Sequence, residues 1–338
     1  MTTDDLLPRL ELALEARATL IGKDRRAALR LFAGFYEGGP CKGCPELVAD
    51  LYARTLVLFD YSSSPQDGAH NLKIAQDFYL AQLPGIECVV QKSRNASDSA
   101  ARRGLITFGE SHAEQITENG VNYALDLLLN QDASFYLDTR NLRDWLHQNA
   151  AGWQVLNTFA YTGSLGVAAL AGGAARVHQT DRNPKFLALA RQSAMLNRLD
   201  LGKMKLRAAD FFSEVGRLKR EEARFDCVIL DPPFFSNTAK GTVDLVNEST
   251  RLINKVRPLV KDGGWLVAIN NALFLSGQDY LQSLEALCGE GYLSLEQIIP
   301  IPEEMTGFPE TRVDPPPSAP APFNHPTKIA LLRVSTKN

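Results

Sequence analysis

Residues Trp153 to Asp181 read WQVLNTFAYTGSLGVAALAGGAARVHQTD. An apolar run (Val155, Leu156) leads into a glycine turn at Gly163, then a small-residue helix, then a second apolar run that closes on the carboxylate of Asp181. Strand, tight turn, helix and strand in that order form a βαβ unit, which places its ligand at the carboxyl end of the first strand. An echo follows at Cys227 to Phe235, CVILDPPFF, where a strand delivers Asp231-Pro-Pro-Phe234 to its own carboxyl end. Neither Pro232 nor Pro233 has an N–H to donate, so the ladder must stop there.

Outward from this pair, further apolar runs alternate with helical stretches. Candidate strands are Gln154 to Asn157, Arg176 to Thr180, Lys205 to Arg207, Asp226 to Leu230, Gly264 to Asn270, Leu293 to Ile299 and Lys328 to Val334. The alternation predicts an α/β fold with a doubly wound, mainly parallel, Rossmann-like sheet. The stretch from Pro300 to Pro326, with seven prolines from Pro309 onward, reads as a long loop before the last strand.

Upstream the pattern is mixed. Leu6, Leu7, Leu10 and Leu14, then Ala28, Leu29, Leu31 and Phe32, have helical spacing and predict two short amphipathic helices. ELVADLYARTLVLFDYS predicts a strand pair, Asn71 to Leu83 a helix and Ile86 to Gln91 a strand. Glu118-Asn-Gly120 supplies the turn of a hairpin. Asp138 is placed to cap a helix starting near Thr139. The organisation expected is an α+β module over 1–130 and an α/β domain over 131–338.

Composition narrows the class. With 338 residues, 45% hydrophobic and 22% charged, the chain can bury two cores. No apolar run approaches the roughly 20 residues of a membrane helix, and the amino terminus is acidic and amphipathic where a signal peptide would be basic then apolar. A cytoplasmic protein without membrane contact is expected, as a monomer or homodimer. Five cysteines in a chain this long make no disulfide framework. Cys41-Lys-Gly-Cys44 has metal or redox spacing but no second pair, so a structural turn is the better reading and no metal is expected. The net charge of −3 offers no global pull on nucleic acid. A local cluster, Lys92, Arg94, Arg102 and Arg103, is either a solvated loop or a phosphate contact.

The chemistry comes from the strand ends. Tyr161-Thr162-Gly163-Ser164-Leu165-Gly166 is not GxGxxG and is poorly suited to wrapping a pyrophosphate. Asp181 lies eighteen positions after Gly163, where a carboxylate accepts from ribose hydroxyls. Asp210-Phe211 follows the third strand, offering an acceptor for an adenine amine and a flanking ring. An adenosine without phosphates, carrying a charged amino-acid tail, is S-adenosylmethionine. In Asp231-Pro-Pro-Phe234 the carboxylate and the next carbonyl can accept from a nitrogen, while Phe234 stacks on a planar acceptor for about 1–3 kcal/mol.

From about Glu118 to Val334 the chain resembles class I S-adenosylmethionine-dependent methyltransferases, and more narrowly the bacterial large-subunit rRNA methyltransferases. The resemblance rests on Glu118-Asn-Gly-Val-Asn-Tyr123, the stretch from Gln131 to Arg143 (QDASFYLDTRNLR), Asn157-Thr-Phe-Ala-Tyr-Thr-Gly163 and Asp231-Pro-Pro-Phe234. Arg30-Leu-Phe-Ala-Gly-Phe-Tyr-Glu-Gly38 and Leu47-Val-Ala-Asp-Leu-Tyr52 are similar to the strand-rich module that precedes the catalytic domain. The small amino-terminal RNA-binding domain of some members is expected to be missing.

The resemblance implies a cofactor site from Phe159, Tyr161, Thr162, Gly163, Asp181, Arg182, Asn183, Asp210, Phe211 and Asp231, with Asp138 and Arg140 closing it. It implies catalysis at Asp231, Pro232, Pro233 and Phe234, and RNA contacts from Arg143, Phe234, Lys240 and Asn270, besides Arg140 and the Lys92 to Arg103 cluster. The cytosine-C5 branch needs a cysteine nucleophile after the fifth strand. Here the residues are Ala268-Ile-Asn-Asn271, closer to the guanine-N7 branch, which points to a base nitrogen of rRNA. A methyltransferase for a protein amide or small molecule, and an RNA-binding module that kept the fold without catalysis, are the alternatives. A nicotinamide dehydrogenase would need the phosphate-cradling loop that is missing.

Overall fold

The computed structural model describes residues 6–21, 26–40, 44–63 and 65–335. Two compact units emerge, one from Met1–Leu137 with Pro302–Pro316, the other from Asp138–Ile301 with Pro317–Asn338.

In chain order the first unit contains α1 (Leu6–Ala16), α2 (Ala18–Ile21), β1 (Ala28–Ala33), α3 (Gly34–Glu37), β2 (Leu47–Tyr52), β3 (Thr55–Asp60), α4 (Pro65–Gln82), β4 (Cys88–Ser93), α5 (Ser99–Arg103), β5 (Leu105–Phe108), β6 (Gln115–Glu118) and β7 (Val121–Ala124). β1 to β5 form one sheet in sequence order, antiparallel except for the parallel β3–β4 pair. Leu10, Leu31, Phe32, Leu56, Leu58 and Tyr79 pack beneath it in an apolar core. The strand pair, the 71–83 helix and the Asn-Gly hairpin follow the sequence pattern. Ala28 to Phe32 does not: it is a strand, not a helix. A register shift between Arg30 and Phe32 breaks the two-residue alternation, and five of the six β1 residues are buried, which imitates helical spacing.

The second unit contains α6 (Arg140–Asn149), β8 (Gln154–Thr158), α7 (Ser164–Ala171), β9 (Arg176–Asp181), α8 (Pro184–Leu196), β10 (Met204–Ala208), α9 (Phe211–Arg220), β11 (Phe225–Leu230), β12 (Phe235–Thr238), β13 (Gly241–Asp244), α10 (Ser249–Val256), β14 (Val260–Asn270), α11 (Gly277–Gly289), β15 (Leu293–Ile299) and β16 (Lys328–Val334). Seven strands form a sheet in the order β10-β9-β8-β11-β14-β16-β15. The first five run parallel, and β16 is antiparallel to both its neighbours. This is the Rossmann-like α/β sheet expected.

Its order reverses between β8 and β11, because the chain leaves β8 toward β9 and returns on the other side. The carboxyl ends of β8, β9 and β11 therefore meet at the switch point where open α/β sheets bind ligands. Asp138 stands two residues before the helix that it was expected to cap. α6 starts at Arg140 with Thr139 at its N-cap position and no side-chain cap bond. The Asp138 carboxylate accepts from the Thr327 hydroxyl at 2.9 Å.

Candidate active site

The turn after β8 is built from alternating left-handed residues: Phe159 (φ 54°), Tyr161 (φ 51°) and Gly163 (φ 76°). Such backbone costs on the order of 1–3 kcal/mol at each non-glycine position and must be held by its surroundings. Asp181 does much of the holding. Its two oxygens accept from the Tyr161 and Asn183 amides, each at 2.9 Å, so one carboxylate ties the turn after β8 to the turn after β9. The Ala160 amide adds a bond to the Thr180 carbonyl at 2.8 Å. Burial nevertheless pushes the Asp181 carboxyl above its ordinary range, against those amide bonds. Gly163 cannot be replaced cheaply. A Cβ there would lie 2.4 Å from the Ala190 Cβ, besides requiring the strained φ.

Phe159, Asp181, Arg182, Asp210 and Phe211 line a pocket at the ends of β8 to β10. Phe211 is buried and stacked on Phe159, centroids 4.5 Å apart, so it forms a wall fixed by the core. Asp210 caps α9 with one oxygen, which accepts from the Phe212 and Ser213 amides. Asn183 caps α8 through the Lys185 amide. Thr162 is buried, and Arg140 and Tyr161 are part-exposed.

Beyond the pocket stands Asp231. No described residue donates a hydrogen bond to its carboxylate. Its pKa is pushed up to about 7, first by burial and then by the neighbouring negative charge of Asp138. Pro232 is buried and Pro233 exposed. Phe234 is 47% exposed, far more than a packed phenylalanine, and is open to a planar partner. The Asn271 amide nitrogen lies 3.4 Å from the Pro232 carbonyl.

Several expected RNA contacts do not reach the surface. Asn270 is fully buried; its amide donates to the Leu245 carbonyl and accepts from the Ala272 amide, so both ends are engaged within the fold. Arg143 is buried and donates to the Thr139 hydroxyl. Lys92 is buried against the Arg103 and Asn130 carbonyls, with its pKa lowered to about 8 by burial. Arg94 pairs with Asp132 and lies over the Tyr61 ring, and Arg102 donates to the Ala96 and Ser97 carbonyls. The cluster is largely internal bracing. Lys240 and Arg182 remain exposed.

Among the cysteines, Cys88, Cys227 and Cys288 are free, and Cys227 is fully buried, which raises its thiol pKa. Cys44 is buried and disulfide-bonded, and Cys41 lies outside the described residues. Among the described residues no group of three or more His, Cys, Asp or Glu is placed to hold a metal, and no helix is long and apolar enough to cross a membrane.

A family model described as S-adenosylmethionine-dependent methyltransferase matches residues 72–314. The chain belongs to that family. Its cofactor is S-adenosylmethionine, and it is an enzyme of the methyl-transferring class. The chain is 29% identical over 326 residues to YwbD of Bacillus subtilis, covering 90% of this chain and 77% of that one. It is 32% identical to ribosomal RNA large subunit methyltransferase I of Tolumonas auensis, covering 69% and 58% respectively. It is 36% identical to ribosomal RNA large subunit methyltransferase K of Neisseria meningitidis, covering 46% and 45%. The chain thus spans little more than half the length of some of its relatives. In structure it matches SMU.776, crystallised with SAH, at TM-score 0.83 and 21% identity, covering 99% and 82%.

The donor set fits such a methyltransferase cofactor. Asp181 and Asp210 keep spare lone pairs toward the pocket for hydroxyl or amine donors. Asp231, a carboxylate without a partner, suits a cationic or N–H group. When bound, the cofactor supplies a methyl group on a sulfonium. The residues of this chain would orient it and hold the acceptor. Ser236, Thr238 and Val243, which no motif of the sequence marks, also line the pocket. Their only signal was a short alternating run after the double proline.

Proposed function

We propose that this methyltransferase transfers methyl to a nitrogen of a base in ribosomal RNA, with Asp231 accepting from the base edge and Phe234 stacking on its face. The observation that carries the reading is the pairing of an unpartnered carboxylate, pKa about 7, with an exposed ring three residues on. An aromatic ring open to solvent suits an unstacked base, whose extrusion from RNA costs a few kcal/mol. Lys240, exposed six residues after Phe234, and Arg182, exposed at the pocket, supply positive charge for phosphates. Relatives named as large-subunit rRNA methyltransferases support RNA as the acceptor, and ribosomal RNA would place the protein in the cytoplasm.

A nitrogen acceptor is favoured over cytosine C5 because that chemistry needs a thiolate beside the base. Cys227, the cysteine nearest Asp231 in sequence, is fully buried with its ionisation suppressed. Cys227→Ala is therefore expected to keep methyl transfer within about twofold, where loss of a covalent nucleophile would cost several orders of magnitude. A steady-state assay with labelled cofactor reads this directly.

The function itself is tested by mass spectrometry of nucleosides from large-subunit rRNA of cells with and without this chain. One methylated nucleoside should disappear and return when the purified protein is supplied with cofactor. An unchanged profile would remove rRNA as the acceptor.

A further inference from the structure

Phe234 leads straight into the β12–β13 hairpin, whose register pairs Ser236 with Val243 and Thr238 with Gly241. Directly opposed residues of an antiparallel pair share a face, so these four look one way, and Phe235 and Asn237 look the other. Ser236, Thr238 and Val243 line the pocket together with Asp181 and Asp210; Phe235 is 57% exposed on the far side. Gly241 seats the hairpin. A Cβ built there would lie 2.7 Å from the Phe212 ring, and its φ of 157° suits glycine.

With the hairpin seated, the partly open pocket between it and the strand ends measures about 20 Å³. That is about the room of one water. A nucleoside needs a pocket of several hundred Å³. The hairpin is also a separate two-stranded sheet, without a ladder to the seven-stranded one. Such hairpins are marginal on their own, and Val243 is the one residue of this hairpin that enters the apolar core beside Phe211 and Val215, so lifting it as a unit exposes that single core side chain.

We propose that Phe235–Asp244 is a lid over the cofactor pocket, and that Ser236 on its inner face binds the nucleoside half of the cofactor. This rests on the assignment of Asp181 and Asp210 to the cofactor site. Ser236 is singled out because its hydroxyl has no partner among the described residues. The Thr238 hydroxyl is already used in the turn, accepting from the Lys240 amide and donating to the Gly241 carbonyl.

Binding of S-adenosylhomocysteine followed by stopped flow and calorimetry tests the lid without any methyl transfer. Gly241→Val, which unseats the hairpin from Phe212, should raise the association rate by about fivefold or more, since the fraction of lifted lid limits entry. Ser236→Ala should weaken equilibrium binding by about 2–10-fold, the loss of one hydrogen bond. In the wild-type protein, saturating S-adenosylhomocysteine should slow tryptic cleavage after Lys240 by about tenfold. Unchanged association in a folded Gly241→Val variant, or cleavage after Lys240 indifferent to ligand, overturns the lid. Wild-type binding by Asp181→Ala would instead overturn the pocket assignment itself.

Discussion

Asp231→Asn is expected to lower methyl transfer by about 10²–10⁴-fold, the range for loss of a positioned proton acceptor. The amide keeps the size of the carboxylate but loses its charge. It presents a donor where the wild-type site has only acceptors. The substitution should also weaken cofactor binding, by less than about tenfold, since Asp181 and Asp210 remain. Transfer and binding both unchanged would show that the reaction takes place elsewhere. The wild-type pH profile carries the same signature. Because the Asp231 pKa is about 7, kcat/KM should rise with pH through that value and level off above it, as the carboxylate ionises. That rise should be missing in Asp231→Asn.

Stability should move in the opposite sense. A carboxyl whose pKa is raised on folding, here from 3.8 to about 7, favours the folded state when protonated. This contribution is complete below pH 3.8 and is lost as the pH rises through 7. At pH 8 the wild-type protein therefore carries an ionised, poorly solvated carboxylate beside Asp138, and Asp231→Asn should melt higher. The gain is about 2 kcal/mol once solvent screening of this part-exposed group is allowed for. Near pH 4 the gain should vanish. A variant that is more stable and less active marks a residue kept for chemistry rather than for packing.

The parts of this site legible in the sequence are those fixed by local backbone chemistry. Gly163, the double proline after β11 and the carboxylates closing β9 and β10 each sit where a strand ends, and strand ends are written in apolar runs and their terminators. What a side chain does after tertiary packing is not written there. Arg143 and Lys92 look like free cations until burial draws them to a hydroxyl and to carbonyls. Asn270 looks like a base contact until Leu245, twenty-five residues away, accepts its amide. β1 was obscured for a related reason: a bulge erased the alternation that marks a strand. The lid was invisible because its meaning lies in Phe212 and Gly241, which only the folded chain brings together.

The Pro302–Pro316 segment is the extreme case, since its proline-rich sequence reveals nothing of its place in the first unit. Besides backbone bonds from Val313 and Asp314 to the Tyr36 carbonyl, a buried ion pair helps to hold it there. Arg17 and Glu37 are both almost fully buried and meet in two bonds, at 3.0 and 2.9 Å. Arg17 also donates to the Glu304 carbonyl at 3.0 Å and lies under the Phe308 ring. Glu37 accepts from the Ala33 amide and from the Thr311 hydroxyl. Glu37→Ala would leave the Arg17 charge buried without its counter-ion, which costs about 3–5 kcal/mol. For a unit of this size that lowers the melting temperature by roughly 10 °C. Arg17→Met combined with Glu37→Leu should be markedly less damaging than Glu37→Ala alone, because an apolar pair removes the charge as well as its partner. Thermal and urea melts of the three proteins decide it. A double variant as unstable as the single one would mean that the polar bonds to Glu304 and Thr311, and not the uncompensated charge, hold the segment in place.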